Sequence, residues 1–133
     1  MLWMVLFMPF TLILLALAID GLSMAATYQR AVGLARVGAQ AGAGVVEFDG
    51  SSPRLSGQAC QVATDTVRYS TTNVVVGATG NNYVLCQSTV RSVNVLVRLK
   101  VFRLFSGPIS IPFEYVVATA KAEPRFGING EEK

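Results

Sequence analysis

The chain has 133 residues, 52% of them hydrophobic, with a mean hydropathy of +0.48 and a formal charge of +3, which is enough for one domain plus an anchor. All eleven Lys and Arg lie after residue 29 and are spread singly, so the clustered basic face of a nucleic-acid-binding protein is missing and no nucleic-acid partner is expected. There is no His, which leaves general acid–base work to isolated carboxylates or Lys and leaves two cysteines short of a zinc ligand set. The expectation is therefore a protein that is not an enzyme, with no catalytic residues, no metal and no cofactor.

The first element is an apolar helix. The first nineteen residues, MLWMVLFMPFTLILLALAI, contain no Asp, Glu, Lys or Arg, and Asp20 follows. Nineteen helical residues rise roughly 28 Å, close to the hydrocarbon thickness of a bilayer. A cleaved signal peptide fits poorly: no basic residue precedes Arg30, and GLSMAATYQRA after Asp20 reads as continuing helix. The segment is either a transmembrane helix or the core of a water-excluding assembly. Pro9 removes one backbone N–H and frees one carbonyl, which is tolerated in lipid where neighbouring helices or side chains such as Thr11 help. Asp20 is read as an interfacial residue at the point where the helix leaves the apolar layer.

Beyond Asp20 the helical rhythm persists to about residue 44, giving a helix of roughly 65 Å. Ala31, Ala35, Ala39 and Ala43 recur every four residues, and Gly38 and Gly42 form a parallel small-xxx-small pair. Such a stripe lets another helix approach closely, or lies beneath the chain's own sheet. Gly44, Gly50 and the SSP at 51–53 end the helix.

The remainder reads as strands. NVVVGATGNNYVLCQ is expected to be a hairpin turning at GATGNN. RSVNVLVRLKVFRLF alternates, with Val93, Val95, Val97, Leu99 and Val101 on one face and Asn94, Arg98 and Lys100 on the other. SGP at 106–108 turns the chain into ISIPFEYVVATAKAEP, with Ile109, Ile111, Phe113, Tyr115 and Val117 in the core phase and Glu114 opposite Lys100. Pro112 points to an edge strand or a bulge. Cys60, in the loop after the helix, and Cys86, in the sheet, are most economically a disulfide facing an oxidising compartment, closing a loop worth about 3 kcal/mol; the alternative is two unrelated small buried residues.

No motif for chemistry emerges. GATGNN lacks the Lys and Ser/Thr of a phosphate loop, and the carboxylates Glu47, Asp49, Asp65 and Glu114 have neither calcium-loop spacing nor an obvious paired acid.

LFMPFTLILLALAIDGLSMAATYQRAVGLARVGAQAGAG resembles the N-terminal segment of the TadE/TadG-like pilin family, with a Pro early in the apolar run and an Asp at its end. VNVLVRLKVFRLFSGPISIPFEYVVATAKAEP is similar to that family's closing hairpin; together the two stretches cover about 70 of the 133 residues. The resemblance implies an α+β lollipop: a transmembrane and assembly helix at 1–48 and an extracytoplasmic β-sheet domain at 49–133. It implies a structural subunit of a tight-adherence pilus, a type IV pilin-like filament, inserted in the inner membrane with its N-terminus toward the cytoplasm and then extracted to assemble. The family usually has a Glu six positions before the Pro, and Trp3 stands there, so a neighbour's N-terminal amine has no side-chain acid to meet. Expected partners are other copies of the chain, other membrane subunits and membrane lipid. The residues assigned to the assembly helix are Leu2, Val5, Leu6, Pro9, Leu12, Leu15, Ile19, Ala31, Ala35, Gly38, Ala39 and Gly42. An accessory subunit of a larger membrane complex, or an anchored module whose sheet binds an external ligand, would share the same architecture.

Overall fold

The computed structural model describes residues 2–50, 52–71, 73–103 and 114–125. Helix α1 (Leu2–Ala43) is continuous through Pro9. It is followed by a short hairpin of β1 (Val46–Asp49) and β2 (Ser52–Leu55), helix α2 (Ala59–Ser70), and strands β3 (Val75–Val76), β4 (Tyr83–Ser88), β5 (Val93–Lys100) and β6 (Tyr115–Ala122). The last four form one sheet in the order β3-β4-β5-β6, antiparallel except for β3 beside β4. The fold class is thus α+β, a long N-terminal apolar helix followed by a small, mainly antiparallel sheet.

The core forms where three layers meet. Ala31, Leu34, Ala35 and Ala39 of α1, Ala59, Ala63 and Val67 of α2, and Val84, Val93, Val95, Val97, Leu99 and Val116 of the sheet are all buried in one cluster. Residues 31, 34, 35, 38, 39 and 42 lie on one face of α1 because helical positions three and four apart stack above one another. Gly38 and Gly42 are where α2 comes closest. A methyl at Gly42 would stand 2.8 Å from the Ala59 carbonyl, and one at Gly38 would stand 2.6 Å from Val67 Cγ2. The small stripe therefore does admit a second helix, and that helix is α2 of the same chain.

Several sequence expectations change. ACQVATDTVRYS forms α2, so Cys60 sits on a helix rather than in a loop. On it Thr64 and Thr66 turn their hydroxyls back onto the carbonyls of Cys60 and Val62, and Thr71, just past its end, donates to the Val67 carbonyl. NVVVGATGNNYVLCQ is not a hairpin: Val75 and Val76 pair in parallel with Tyr83 and Val84. The loop between them takes positive φ at Gly77 and Gly80, reversing direction twice, so that the chain returns in its original sense.

The β5–β6 pairing also differs by one residue. Lys100 stands opposite Tyr115, and the Val101 N–H donates to the Glu114 carbonyl at 3.0 Å, so Glu114 faces Val101 and not Lys100. A shift of one residue exchanges the faces of a strand, and the core side of β6 is accordingly Val116 and Ala118, with Val117 exposed. The side chains explain the choice: Val116, Ala118, Ala120 and Ala122 are small enough to lie against α1, whereas the alternate set includes Tyr115 and Lys121. Ile109, Ile111, Pro112, Phe113 and the turn at 106–108 lie outside the described residues. The expected alternation in β5 is present, Val93, Val95, Val97 and Leu99 being buried.

Candidate assembly surface

The surface that stands out is the N-terminal half of α1. From Trp3 to Leu22 only Ala16 and Asp20 are even half-buried; Val5, Leu6, Pro9, Leu12, Leu15 and Ile19 are exposed. Exposure reaches 81% at Met4 and 71% at Leu22. The helix is long and apolar enough to cross a membrane. Trp3 and Phe7, one turn apart, stack with ring centroids 5.6 Å apart, which fixes two large side chains on one flank. Thr11 donates to the Met8 carbonyl at 2.9 Å, a bond beside the proline that leaves no extra hydroxyl proton facing outward. Leu2 belongs to the same helix.

The residues assigned to the assembly helix thus fall into two sets. Val5, Leu6, Pro9, Leu12, Leu15 and Ile19 face outward, while Ala31, Ala35, Gly38, Ala39 and Gly42 are inside the head, against α2 and β5. The transition is at Ser23. Its hydroxyl lies 2.9 Å from the Asp20 carbonyl and 3.0 Å from the Phe102 carbonyl, joining α1 to the end of β5 at the level where the apolar run stops. Met24 packs against the core just above. The packed part of the chain therefore includes the second half of α1, from Ser23 and Met24 onward.

Cys60 and Cys86 are bonded, linking α2 to β4 with Cα atoms 5.5 Å apart.

On the face of the sheet turned away from α1, Arg98 lies over the rings of Tyr115 and Tyr83, at 3.9 and 5.5 Å from their centroids. The Tyr115 hydroxyl donates to Asn81 Oδ1 at 3.2 Å, and Asn82 Oδ1 accepts from the Lys100 N–H at 2.7 Å. Arg98 Nε is buried with no hydrogen-bond partner among the described residues. With Lys100 and Arg103, Arg98 forms a small basic group at the end of the sheet nearest Ser23. The sequence read these as isolated charges; only the β5 direction and the Ser23–Phe102 bond bring them to the rim beside the apolar helix.

Of the carboxylates singled out in the sequence, Glu47 accepts from Ser56 Oγ at 2.9 Å and Asp65 is half-buried on α2. Among the described residues no three His, Cys, Asp or Glu side chains converge. The chain matches no family model. It also matches no curated protein and no solved structure.

Proposed function

We propose that this chain is a structural subunit that associates through the bare N-terminal half of α1, with its disulfide-bonded head on the extracytoplasmic side of a membrane, in the manner of the TadE/TadG-like pilins it resembles. The observation that supports this is the uncovered apolar surface from Trp3 to Leu22. Each large side chain removed from water there contributes about 1.5 to 3 kcal/mol, so the run as a whole outweighs any polar contact the head can make. The disulfide favours an oxidising compartment for the head and so the opposite side for the N-terminus. Arg30 and Arg36 would by themselves bias the chain the other way, but folded domains translocate largely regardless of charge, and the two arginines belong to the head.

A second reading is a subunit resident in a larger membrane complex. Trp3 favours it, because a filament built like the resembled family would meet each neighbour's terminal amine with an acid at this position.

Electron microscopy of the purified full chain, together with a variant lacking residues 1–22, tests both. The pilin reading expects helical filaments from the full chain, sensitive to detergent and indifferent to salt. The truncated head should be a soluble monomer with Cys60–Cys86 intact. Discrete particles would replace the first reading by the second, and a truncated head that still associates would overturn both.

A further inference from the structure

The rim of the head beside α1 has a composition of its own, and its height relative to the apolar run is set by a bond. Ser23 is three residues beyond Asp20, about 4.5 Å along the helix axis. The headgroup layer outside the hydrocarbon is about 5 to 7 Å thick on each side. With Trp3–Leu22 in lipid, the Ser23 hydroxyl at 3.0 Å from the Phe102 carbonyl holds Phe102 at headgroup depth. Phe102 is 76% exposed, although the next residue inward, Val101, is buried. Lys100 is exposed two residues up the strand, about 7 Å away, and Arg103 follows directly, half-buried, its Nη2 covered and without a hydrogen-bond partner among the described residues. Tyr83 and Tyr115 flank Arg98 at this same end, and tyrosines and basic side chains are the residues that membrane interfaces favour. The acids near this rim are Asp20 and Glu114, so the basic groups outnumber them.

We propose that this rim is a lipid-binding surface: Phe102 enters the boundary between headgroups and acyl chains, and Lys100 and Arg103 bind the phosphates of anionic phospholipids. The inference rests on the proposed membrane placement of α1 and adds to it a second, shallow contact that fixes the head's tilt. A helix alone leaves the head free to swing about its exit point. An aromatic wedge and two cations on one side hold it down on that side.

The test uses the full chain in vesicles of phosphatidylcholine and phosphatidylglycerol in equal amounts, with bromine on the acyl chains as a quencher. Trp3 is the sole tryptophan, so Trp3→Phe gives a silent background for Phe102→Trp and, as a control, Phe48→Trp. Phe48 is just as exposed, at 76%, but follows the far end of α1, roughly 30 Å from Ser23 along the helix axis. The expected result is about a twofold loss of emission from the Phe102→Trp chain in brominated vesicles and none from the Phe48→Trp chain. Adding Lys100→Glu and Arg103→Glu to the Phe102→Trp chain should restore most of its emission in the anionic vesicles and change nothing in pure phosphatidylcholine. Equal emission from the two reporters while native Trp3 is quenched would overturn the rim and leave the span standing. Failure of the charge reversals to act in anionic vesicles would overturn the role of Lys100 and Arg103. An unquenched Trp3 in the native chain would remove the membrane placement itself.

Discussion

Residues 3–22 and 23–43 belong to one helix with an unbroken backbone, yet the two halves use opposite side-chain strategies. The first half places Trp, Met, Leu, Ile and Phe around its whole circumference and leaves all of them exposed. The second half places Ala and Gly on one face and is buried there by α2, β5 and β6. Large side chains serve where the partner must be recruited from outside, because area removed from water is what such an association gains. Small ones serve where the partner is already tethered, because close backbone approach then fills the core without voids. The boundary between the two is a single turn of helix at Asp20–Ser23.

The strongest way to separate the halves is to cut the link that holds α2 against the second one. Replacing Cys60 and Cys86 together by Ser should lower the head's unfolding free energy by about 3 kcal/mol, since the bridge closes a loop with a sequence separation of 26. The first half has no part in that bridge, and in detergent micelles its helix should survive after the head has melted. Urea titration followed by circular dichroism reads both: an early loss of part of the helical signal, with the rest persisting. A single transition at the wild-type midpoint would mean that the disulfide adds nothing to the packed half.

This division was only partly legible in the sequence. The length of α1 and the break in character at Asp20 were, because nineteen uncharged residues followed by an alanine repeat leave few alternatives. The partner of the alanine repeat was not. α2 has its signal in Ala59, Ala63 and Val67, spaced four apart, but two of these are alanines and the intervening Thr, Val and Cys favour strands, so the period was weak. The cysteine pair pointed to the right bond while the secondary structure around one of its members was missed. In the sheet, β5 alternates cleanly because its inner face is all Val and Leu. In β6 both faces contain apolar residues, Tyr115 and Val117 against Val116 and Ala118, so hydrophobicity alone could not choose the phase, and size against α1 decided it. The basic rim was invisible for a different reason: it depends on where β5 ends relative to Ser23, a contact across 79 positions of sequence.

Glycine substitutions sharpen the comparison at smaller scale. Ala is favoured over Gly in a helix by about 1 kcal/mol, so Gly→Ala should stabilise wherever there is room. Nothing lies within 4 Å of a methyl built at Gly33 or Gly21. Gly33→Ala should therefore raise the head's stability by up to about 1 kcal/mol, and Gly21→Ala should leave it unchanged, being outside the packed half. At Gly42 the new methyl meets the Ala59 carbonyl at 2.8 Å and Val93 Cγ1 at 3.1 Å. The backbone of α2 must retreat, and overpacking of this kind costs about 1 to 3 kcal/mol, more than the propensity gain. Gly42→Ala should thus be destabilising while Gly33→Ala is not. Equal stability of the two variants in chemical denaturation would show that α2 is not seated closely on α1.

The smallest effect belongs to the polar contact at the end of β6, where Lys121 Nζ lies 2.8 Å from Oε1 of Glu123, just past the strand. Hydrogen bonding to Lys121 and its positive charge hold the Glu123 carboxyl below the usual glutamate range. A carboxyl that ionises more easily in the folded state than in the unfolded one stabilises the fold above the ordinary glutamate range, and that stabilisation disappears as the pH falls through the folded value. The sign is therefore a loss toward acid, setting in as the pH falls through and below the ordinary glutamate range. The magnitude is small, because both side chains are more than half exposed, at 57% and 64%, and water screens an exposed pair. Glu123→Gln should leave the unfolding midpoint at neutral pH unmoved and should slightly flatten the acid side of the stability profile. A clear drop at neutral pH would mean that this contact locks β6 onto the packed half of α1, and that the head is held by charge at a place where the packing argument assigns everything to Val and Ala.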